Sequence, residues 1–244
     1  MYDIVYFVKE SDDNEELRYS LRSLKNFPHK KVWFYGGCPK GLRPDVHIHV
    51  DQNEQNKWQN VNKMLRLACS NKDITKSFWL FNDDFFVMQK IKKPTNYYNG
   101  DLYKRIVKLE DKYNGITPYS QLLRDCCKEL ESIGATTKNY TLHVPMLFNR
   151  DKAIELFKMT DFPGFRSLYA NYFKIGGKQM RDVKIVSKNK IYKDGIYLSS
   201  DDESFQGELG KQIRKIFKDK CKYEYWWACK LSKLLERKAY ALWW

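Results

Sequence analysis

The fold is decided by residues 3–36, which read DIVYFVKESDDNEELRYSLRSLKNFPHKKVWFYG. The apolar run at residues 4–8 is bounded by polar residues, which is typical of a buried parallel strand. Residues 15–26 predict a helix, because leucines spaced four and three apart share one face: Leu17, Leu21 and Leu24. A second apolar run, at residues 31–35, predicts the next strand. The stretch therefore predicts a β-α-β unit with a right-handed crossover.

Downstream of this unit, apolar runs and helical patterns continue to alternate. Strands are expected at residues 46–50, 77–81 and 141–144, and helices at residues 60–69 and 150–159. The charged segment 92–138 is expected to be helical or looped, and no chemistry is evident in it. We therefore predict an α/β domain over residues 1–209, in which helices flank a mixed, Rossmann-like sheet.

A basic, amphipathic, helical C-terminal extension is predicted for residues 210–244. Lysines and arginines surround an apolar stripe made of Trp227, Leu231, Leu235, Ala239 and Leu242. Such a helix suits peripheral contact with a membrane surface or with nucleic acid. Packing of the stripe onto the domain is an equally good interpretation.

Composition indicates which partners suit the chain. Its 244 residues include 44 Lys and Arg against 30 Asp and Glu, which gives a formal net charge of +14. This balance favours polyanionic partners: nucleic acid, an anionic glycan, a phosphorylated donor or an anionic membrane surface. The six cysteines form no CxxC pair, and we expect all of them to be reduced thiols.

The sequence also bears on the compartment. The first residues lack the basic start and the small-residue cleavage site of a secretory signal peptide. No apolar run reaches the length of a membrane span. We expect a protein that is not integral to a membrane and that works in the cytoplasm of a bacterium or of a virus-infected host cell.

Two acidic clusters follow predicted strands and suggest a metal site. Asp83 and Asp84 come directly after residues 77–81, and Asp202 lies within Asp201-Asp202-Glu203. In open α/β sheets, ligands bind at the carboxyl edge of the strands. Carboxylates there suit Mg²⁺ or Mn²⁺, which bridges and neutralises the phosphates of a donor. Each cluster taken alone also fits a turn or a helix N-cap, and the N-cap interpretation stays open for Asp201.

Histidine and arginine supply the other candidate groups. His143, just before Pro145, is a candidate general base, although a lone histidine beside a strand more often has a structural role. Guanidinium groups bind phosphate in a bidentate manner, and the candidates are Arg18, Arg22, Arg150 and Arg166. A solvated helix face is the alternative for Arg18 and Arg22, which lie one helical turn apart.

Phosphate-binding glycine loops of the familiar kinds are missing from the sequence. It contains neither GxxxxGK[ST] nor GxGxxG. A P-loop kinase and a dinucleotide-dependent dehydrogenase are therefore both unsupported.

Six short segments, in order along nearly the whole chain, match one set of motifs. They are DIVY at 3–6, ELRYSLRSL at 16–24, LFNDDFF at 80–86, HVP at 143–145 followed by Arg150, FRSLY at 165–169 and LSSDD at 198–202. Together they resemble the Stealth family of sugar-phosphate transferases, which includes bacterial capsule enzymes and the lysosomal-enzyme GlcNAc-1-phosphotransferase. Ser200 stands where the last motif of the family has Asn.

The resemblance implies a GT-A-like glycosyltransferase fold that binds a UDP-sugar. Catalytic roles then fall to Glu16, Asp84, Arg166 and His143, with His143 as the general base and Glu16 orienting the site. Donor-binding roles fall to Asp3, Arg18, Arg22 and Arg150. The metal or the diphosphate would be held by Asp83, Asp84 and Asp202.

The chemistry implied by the resemblance has two forms. An acceptor hydroxyl attacks the β-phosphorus and releases UMP in Stealth chemistry, or attacks the anomeric carbon and releases UDP in ordinary glycosyl transfer. The acceptor is expected to be a surface polysaccharide or nucleic acid, for instance a hydroxymethylated DNA base, and the net charge favours the second. The alternative is a non-catalytic protein that binds nucleic acid or membranes through a degenerate transferase fold.

Overall fold

The computed structural model describes residues 1–159 and 165–225. Nine strands are present in this part of the chain: β1 Asp3–Val8, β2 Val32–Gly36, β3 Val46–Ile48, β4 Ser77–Phe81, β5 Phe85–Val87, β6 Tyr97–Tyr98, β7 Met146–Asn149, β8 Lys178–Gln179 and β9 Tyr197–Ser199. Eight α-helices accompany them: α1 Glu15–Ser23, α2 Lys57–Ser70, α3 Leu102–Tyr113, α4 Pro118–Ser132, α5 Arg150–Met159, α6 Phe165–Tyr172, α7 Asp202–Gln206 and α8 Glu208–Ile216.

The central sheet has five strands in the order β3-β2-β1-β4-β7. The first four strands run parallel, and β7 pairs antiparallel with β4. Two small sheets accompany it, an antiparallel pair of β5 with β9 and a parallel pair of β6 with β8. The predicted α/β class, with a mixed sheet flanked by helices, is confirmed.

The period-two pattern of β1 explains how helices cover both faces of the sheet. Ile4, Tyr6 and Val8 pack in one apolar cluster with the leucines of α1. Val5 faces the other way and packs in a second cluster with residues of α2, α3, α4, α5 and α6. Because successive side chains of a strand point to opposite faces, one apolar run serves both layers.

Helix starts follow local capping signals. Asn14 caps α1 by accepting the backbone N–H of Leu17, and Thr117 forms a capping box with Ser120 at the start of α4. Asp201 caps α7 through Ser204. The N-cap interpretation, left open from the sequence, therefore describes Asp201.

One predicted strand is misplaced. Residues 141–144 are irregular, and the edge strand is β7, which begins two residues later. The backbone N–H groups of Thr141 and His143 donate to the side chains of Asn139 and Asp182, so they are not available to a strand ladder. The helix predicted at residues 150–159 is confirmed, because α5 has these bounds.

The predicted boundary at 209/210 falls inside α8. Leu209, Ile213 and Phe217 pack against Phe86 and Phe205 in a third apolar cluster. Residues 208–216 are thus continuous with the domain core. The rest of the predicted extension that would carry the apolar stripe, residues 226–244, lies outside the described residues.

Two further expectations concern thiols and membrane spans. Within the described residues, Cys38, Cys69, Cys126, Cys127 and Cys221 are free thiols. In that same part of the chain, no helix combines the length and the apolar character needed to cross a membrane.

Candidate active site

A cavity of about 750 Å³ opens at the carboxyl edge of β1 and β4. One end is polar and includes Asn82, Asp83, His143 and Arg166. The other end is largely apolar and passes between α2, α3 and the start of α4. Cavities of this size and mixed lining are typical of small-molecule sites. The structure thus brings three sequence-predicted site residues into one cavity, namely Asp83, His143 and Arg166.

Asp83 is held by the cap of α1. Asn14 Nδ2 donates to Asp83 Oδ2 at 2.8 Å, while Asn14 Oδ1 accepts the N–H of Leu17. Burial and the charge of neighbouring Asp84 raise the pKa of Asp83 above its ordinary value, against the effect of the Asn14 hydrogen bond. Because burial and a neighbouring charge disfavour its ionised form, this carboxylate favours a cationic or proton-donating ligand.

Asp84 lies in a small network of its own. Its Oδ2 accepts from Lys184 Nζ at 2.9 Å and from Ser199 Oγ at 2.9 Å. The Asp84 side chain is only 13% exposed, and among the described residues its Oδ1 is buried without a hydrogen-bond partner. A buried carboxylate oxygen without a donor is costly, so the hydrogen bonds from Lys184 and Ser199 to Oδ2 are what stabilise this carboxylate.

Glu16 projects from the first turn of α1 towards the same edge. Ser200 Oγ donates a short hydrogen bond to Glu16 Oε1. Burial, followed by the charges of Asp83, Asp84 and Asp202, raises the pKa of Glu16 to about 7 despite the hydrogen bond from Ser200. Carboxylates with raised pKa values cluster at functional sites, so Glu16 is a candidate member of this one.

His143 has a carboxylate partner. Its Nδ1 lies 2.9 Å from Asp182 Oδ2 and 3.1 Å from Oδ1. A carboxylate can only accept, so Nδ1 carries a proton, and in the neutral imidazole Nε2 keeps its lone pair. Burial alone would raise the pKa of Asp182, but the hydrogen bond and the charge of His143 bring it below its ordinary value. This His–Asp pair has the geometry of an oriented general base.

Arg166 presents a desolvated guanidinium to the cavity. Its Nη2 donates to the carbonyl of Val144, and within residues 1–159 and 165–225 its buried Nε has no hydrogen-bond partner. Burial lowers the pKa of Arg166 to about 10, and among the described residues it makes no ion pair. A buried cation without a counter-ion is unfavourable, so this site suits an anionic ligand such as a phosphate.

The predicted metal ligands do not converge. In residues 1–159 and 165–225, no group of three or more His, Cys, Asp or Glu side chains is placed to hold a metal ion. Asp202 is exposed in the first turn of α7, and one oxygen of Asp84 already binds the ammonium of Lys184. The donor set therefore does not fit the expected Mg²⁺ or Mn²⁺ site in this arrangement.

Asp3 and Arg150 lie at the opposite edge of the sheet from the cavity. Asp3 begins β1 and accepts from the N–H of Thr75 and from Trp33 Nε1. Arg150 follows the antiparallel strand β7 and donates to the carbonyl of Asn71. The donor-binding prediction for both residues conflicts with these positions, because a parallel strand carries its ligands at the carboxyl end.

Arg22 is committed to a structural ion pair. Its Nε and Nη2 donate to the two oxygens of Glu224, each at 2.8 Å, and Nη1 donates to the carbonyl of Phe217. Arg18 lies 3.6 Å from both Asp13 and Glu224. Neither arginine lines the cavity. The structure therefore does not support the prediction that Arg22 binds phosphate, and Arg18 lies on α1 beside the same ion pair.

Several site residues were not found by sequence reasoning. Asp182, Lys184, Ser199 and Asn14 bind the predicted groups, and Trp58 stacks on Tyr119 at 5.5 Å between ring centroids in the cavity wall. Asp182 and Lys184 lie two positions apart in one extended segment, so their side chains point to the same side. That alternation was the available signal, but the surrounding lysines made it resemble an ordinary solvated stretch.

Comparisons with known proteins add the following. No protein-family model matches the sequence, and no curated protein matches it significantly. The Stealth resemblance therefore rests on the collinear motifs alone.

Solved glycosyltransferase structures align over most of the chain. The galactosyltransferase LgtC, in complex with donor and acceptor sugar analogues, aligns over 92% of this chain and 98% of its own, at 10% identity and a TM-score of 0.45. An active-site mutant of LgtC aligns over 96% and 95%, at 12% identity and 0.38. A glycosyltransferase involved in glycosylation of the major capsid of PBCV-1 aligns over 88% and 98%, at 11% identity and 0.35.

Proposed function

We propose that this chain is a transferase that moves a sugar or a sugar-1-phosphate from a UDP-sugar to an acceptor hydroxyl. The observation that carries the proposal is the pairing of two features in one cavity. An oriented base, His143 with Asp182, lines the same cavity as Arg166, a largely buried cation that has no carboxylate partner among the described residues. A proton acceptor next to an anion site is what transfer from a phosphorylated donor to a hydroxyl requires.

The reaction is assigned to these groups as follows. His143 Nε2 takes the proton of the acceptor hydroxyl as that oxygen attacks. In glycosyl transfer, the new bond joins the acceptor oxygen to the anomeric carbon, the bond to the diphosphate breaks, and UDP leaves with the electron pair. In sugar-phosphate transfer, the new bond joins the oxygen to the β-phosphorus, and UMP leaves. Arg166 binds the phosphate oxygens.

The acceptor is proposed to be polyanionic, either a glycan or nucleic acid such as a hydroxymethylated DNA base. The support is the formal charge of +14, to which exposed lysines contribute, including Lys188, Lys190 and Lys193. Phosphate contacts by such side chains give affinity that does not depend on sequence.

The test is incubation with a panel of UDP-sugars and candidate acceptors, followed by chromatography of the released nucleotide. We expect UDP or UMP to appear only with a competent acceptor, and its identity decides between the two reactions. His143→Ala should lower the rate by about 100-fold or more, whereas His49→Asn, an exposed histidine outside the cavity, should not. Tight DNA binding without donor turnover would instead favour the non-catalytic alternative.

A further inference from the structure

Lys184 occupies the position where a metal was expected. Its ammonium lies 2.9 Å from Asp84 Oδ2, and its side chain is 24% exposed. Ser199 donates to the same oxygen at 2.9 Å. Asp84 Oδ2 is thus already neutralised by a cation and a hydroxyl that belong to the protein.

The backbone holds Lys184 in this position. The N–H of Ile185 donates to the carbonyl of Ser199 at 2.9 Å, and Lys184 and Ser199 form a β-bridge. Alternate residues of an extended segment point to the same side. Asp182 and Lys184 therefore reach the site together, one to His143 and the other to Asp84.

The ammonium of Lys184 has spare hydrogen-bonding capacity. It has three N–H donors, and among the described residues Asp84 is its one carboxylate partner. The remaining N–H donors are available to an anionic ligand. A divalent ion on Asp84 Oδ2 would lie against the ammonium, and their like charges would repel at short range.

We propose that Lys184 supplies the positive charge that the donor's diphosphate needs at this site, so that donor turnover proceeds without a divalent cation. The inference rests on the proposed function. Its chemistry is simple: as the bond to the diphosphate breaks, the leaving oxygen gains charge, and Lys184 and Arg166 stabilise that charge by hydrogen bonds. No metal takes part in the balance of the step.

The first experiment compares wild type with Lys184→Met, Lys184→Arg and Lys128→Met, each with EDTA or with added Mg²⁺ or Mn²⁺. Lys128 is an exposed lysine that pairs with Asp125 on α4 outside the cavity, and it serves as the matched control. We expect wild type and Lys128→Met to turn over the donor equally well in EDTA. Lys184→Met should lose at least 100-fold in kcat, and Lys184→Arg should recover part of it, because the arginine retains the charge.

The second experiment needs no donor and separates this inference from the proposed function. Mn²⁺ binding is titrated by electron paramagnetic resonance, with circular dichroism to verify folding. Wild type should bind Mn²⁺ at least ten-fold more weakly than Lys184→Met, in which Asp84 is freed. Equal Mn²⁺ affinity of the two proteins would overturn the role of Lys184. Donor turnover by wild type that disappears in EDTA would also overturn it, yet would leave the transferase function intact.

Discussion

At the residue scale, Asp182 determines which nitrogen of His143 is free to accept a proton. Asp182→Asn is expected to lower kcat for donor turnover by about 100-fold or more, because an amide does not stabilise the imidazolium that forms. KM for the donor should change little. Steady-state kinetics measure both. His49→Asn is the matched control, since His49 pairs with Asp51 outside the cavity. An unchanged kcat in Asp182→Asn would rule out the oriented base.

The raised pKa of Glu16 predicts that the free energy of unfolding depends on pH. Its pKa in the folded protein, about 7, is above the ordinary value of 4.5, so between these pH values the folded state holds a proton that the unfolded state has released. The free energy of unfolding should therefore fall as the pH rises through this window, by at most about 1.4 kcal/mol per pH unit. Glu16→Gln removes the effect, and its stability relative to wild type should rise from pH 5 to pH 8 in urea denaturation.

Glu15 provides the control for this measurement. A hydrogen bond from Arg214, opposed by burial and aided by the arginine's charge, lowers the pKa of Glu15. Its stabilising contribution is present above pH 4.5 and is lost as the pH falls through the lower folded pKa. Glu15→Gln should consequently show no gain between pH 5 and pH 8. A similar gain in both variants would indicate a general charge effect rather than burial of Glu16.

The sequence identified site residues that stand in local motifs, but not their partners, which lie far away along the chain. Asp83, Asp84 and Glu16 stand in recognisable motifs at the ends of a strand and at the start of a helix. The partner of Asp84 is 100 positions away, and the partner of His143 is 39 positions away. Such pairs are set by tertiary packing, so the network around each predicted residue could not be obtained from local patterns.

At the element scale, the ion pair of Arg22 with Glu224 joins α1 to residues 221–225. Both side chains are buried, at 9% and 2% exposure. Among the described residues, Arg22→Met leaves the buried Glu224 with the backbone N–H of Cys221 and the more distant Arg18, and should lower the free energy of unfolding by roughly 3 kcal/mol. Lys211→Met breaks an exposed pair with Glu208 and should cost less than about 0.5 kcal/mol. Equal losses in urea denaturation would contradict this ranking.

Gly36 is the last residue of β2, and the neighbouring strand β1 leaves no room for a side chain there. Its φ is +105°, and a Cβ atom there would lie 2.2 Å from the carbonyl oxygen of Val8. Gly36→Ala should cost roughly 2–4 kcal/mol, because backbone strain and a main-chain clash add together. Gly134 also has a positive φ but open space around it, so Gly134→Ala should cost only about 1 kcal/mol. Thermal denaturation of the two variants tests the difference.

Most elements of the sheet were predictable because their patterns are local. The continuous apolar runs of β1, β2 and β4 and the leucine face of α1 are strong local signals. The strand expected at 141–144 failed because side-chain acceptors, not a neighbouring strand, bind its N–H groups. The short pair of β6 with β8 was also missed, since two-residue strands have no period to detect.

At the scale of the whole molecule, the charge of +14 predicts salt-dependent association with polyanions. Binding to a short DNA duplex should weaken linearly in log K against log salt, with a slope of about −0.9 per phosphate contacted. Replacing Lys188, Lys190 and Lys193 together by Glu should flatten the slope, while donor turnover on a small acceptor stays unchanged. Fluorescence anisotropy between low and high NaCl measures the slope, and binding that ignores salt would exclude a nucleic-acid acceptor.

The pairing of β5 with β9 also sets the order in which the molecule becomes active. Asp84 and Ser199 are 115 positions apart, so their contact closes one of the longer loops of the chain. During synthesis, the parallel strands β1 to β4 emerge well before Ser199 and Lys184. Because non-local contacts form late in folding, helices and parallel strands should assemble first and the carboxylate network last. In refolding, the circular dichroism signal should therefore recover before catalytic activity does. A nascent chain that ends before Lys184 contains Asp83 and Asp84 but lacks the two side chains, Lys184 and Ser199, that bind Asp84.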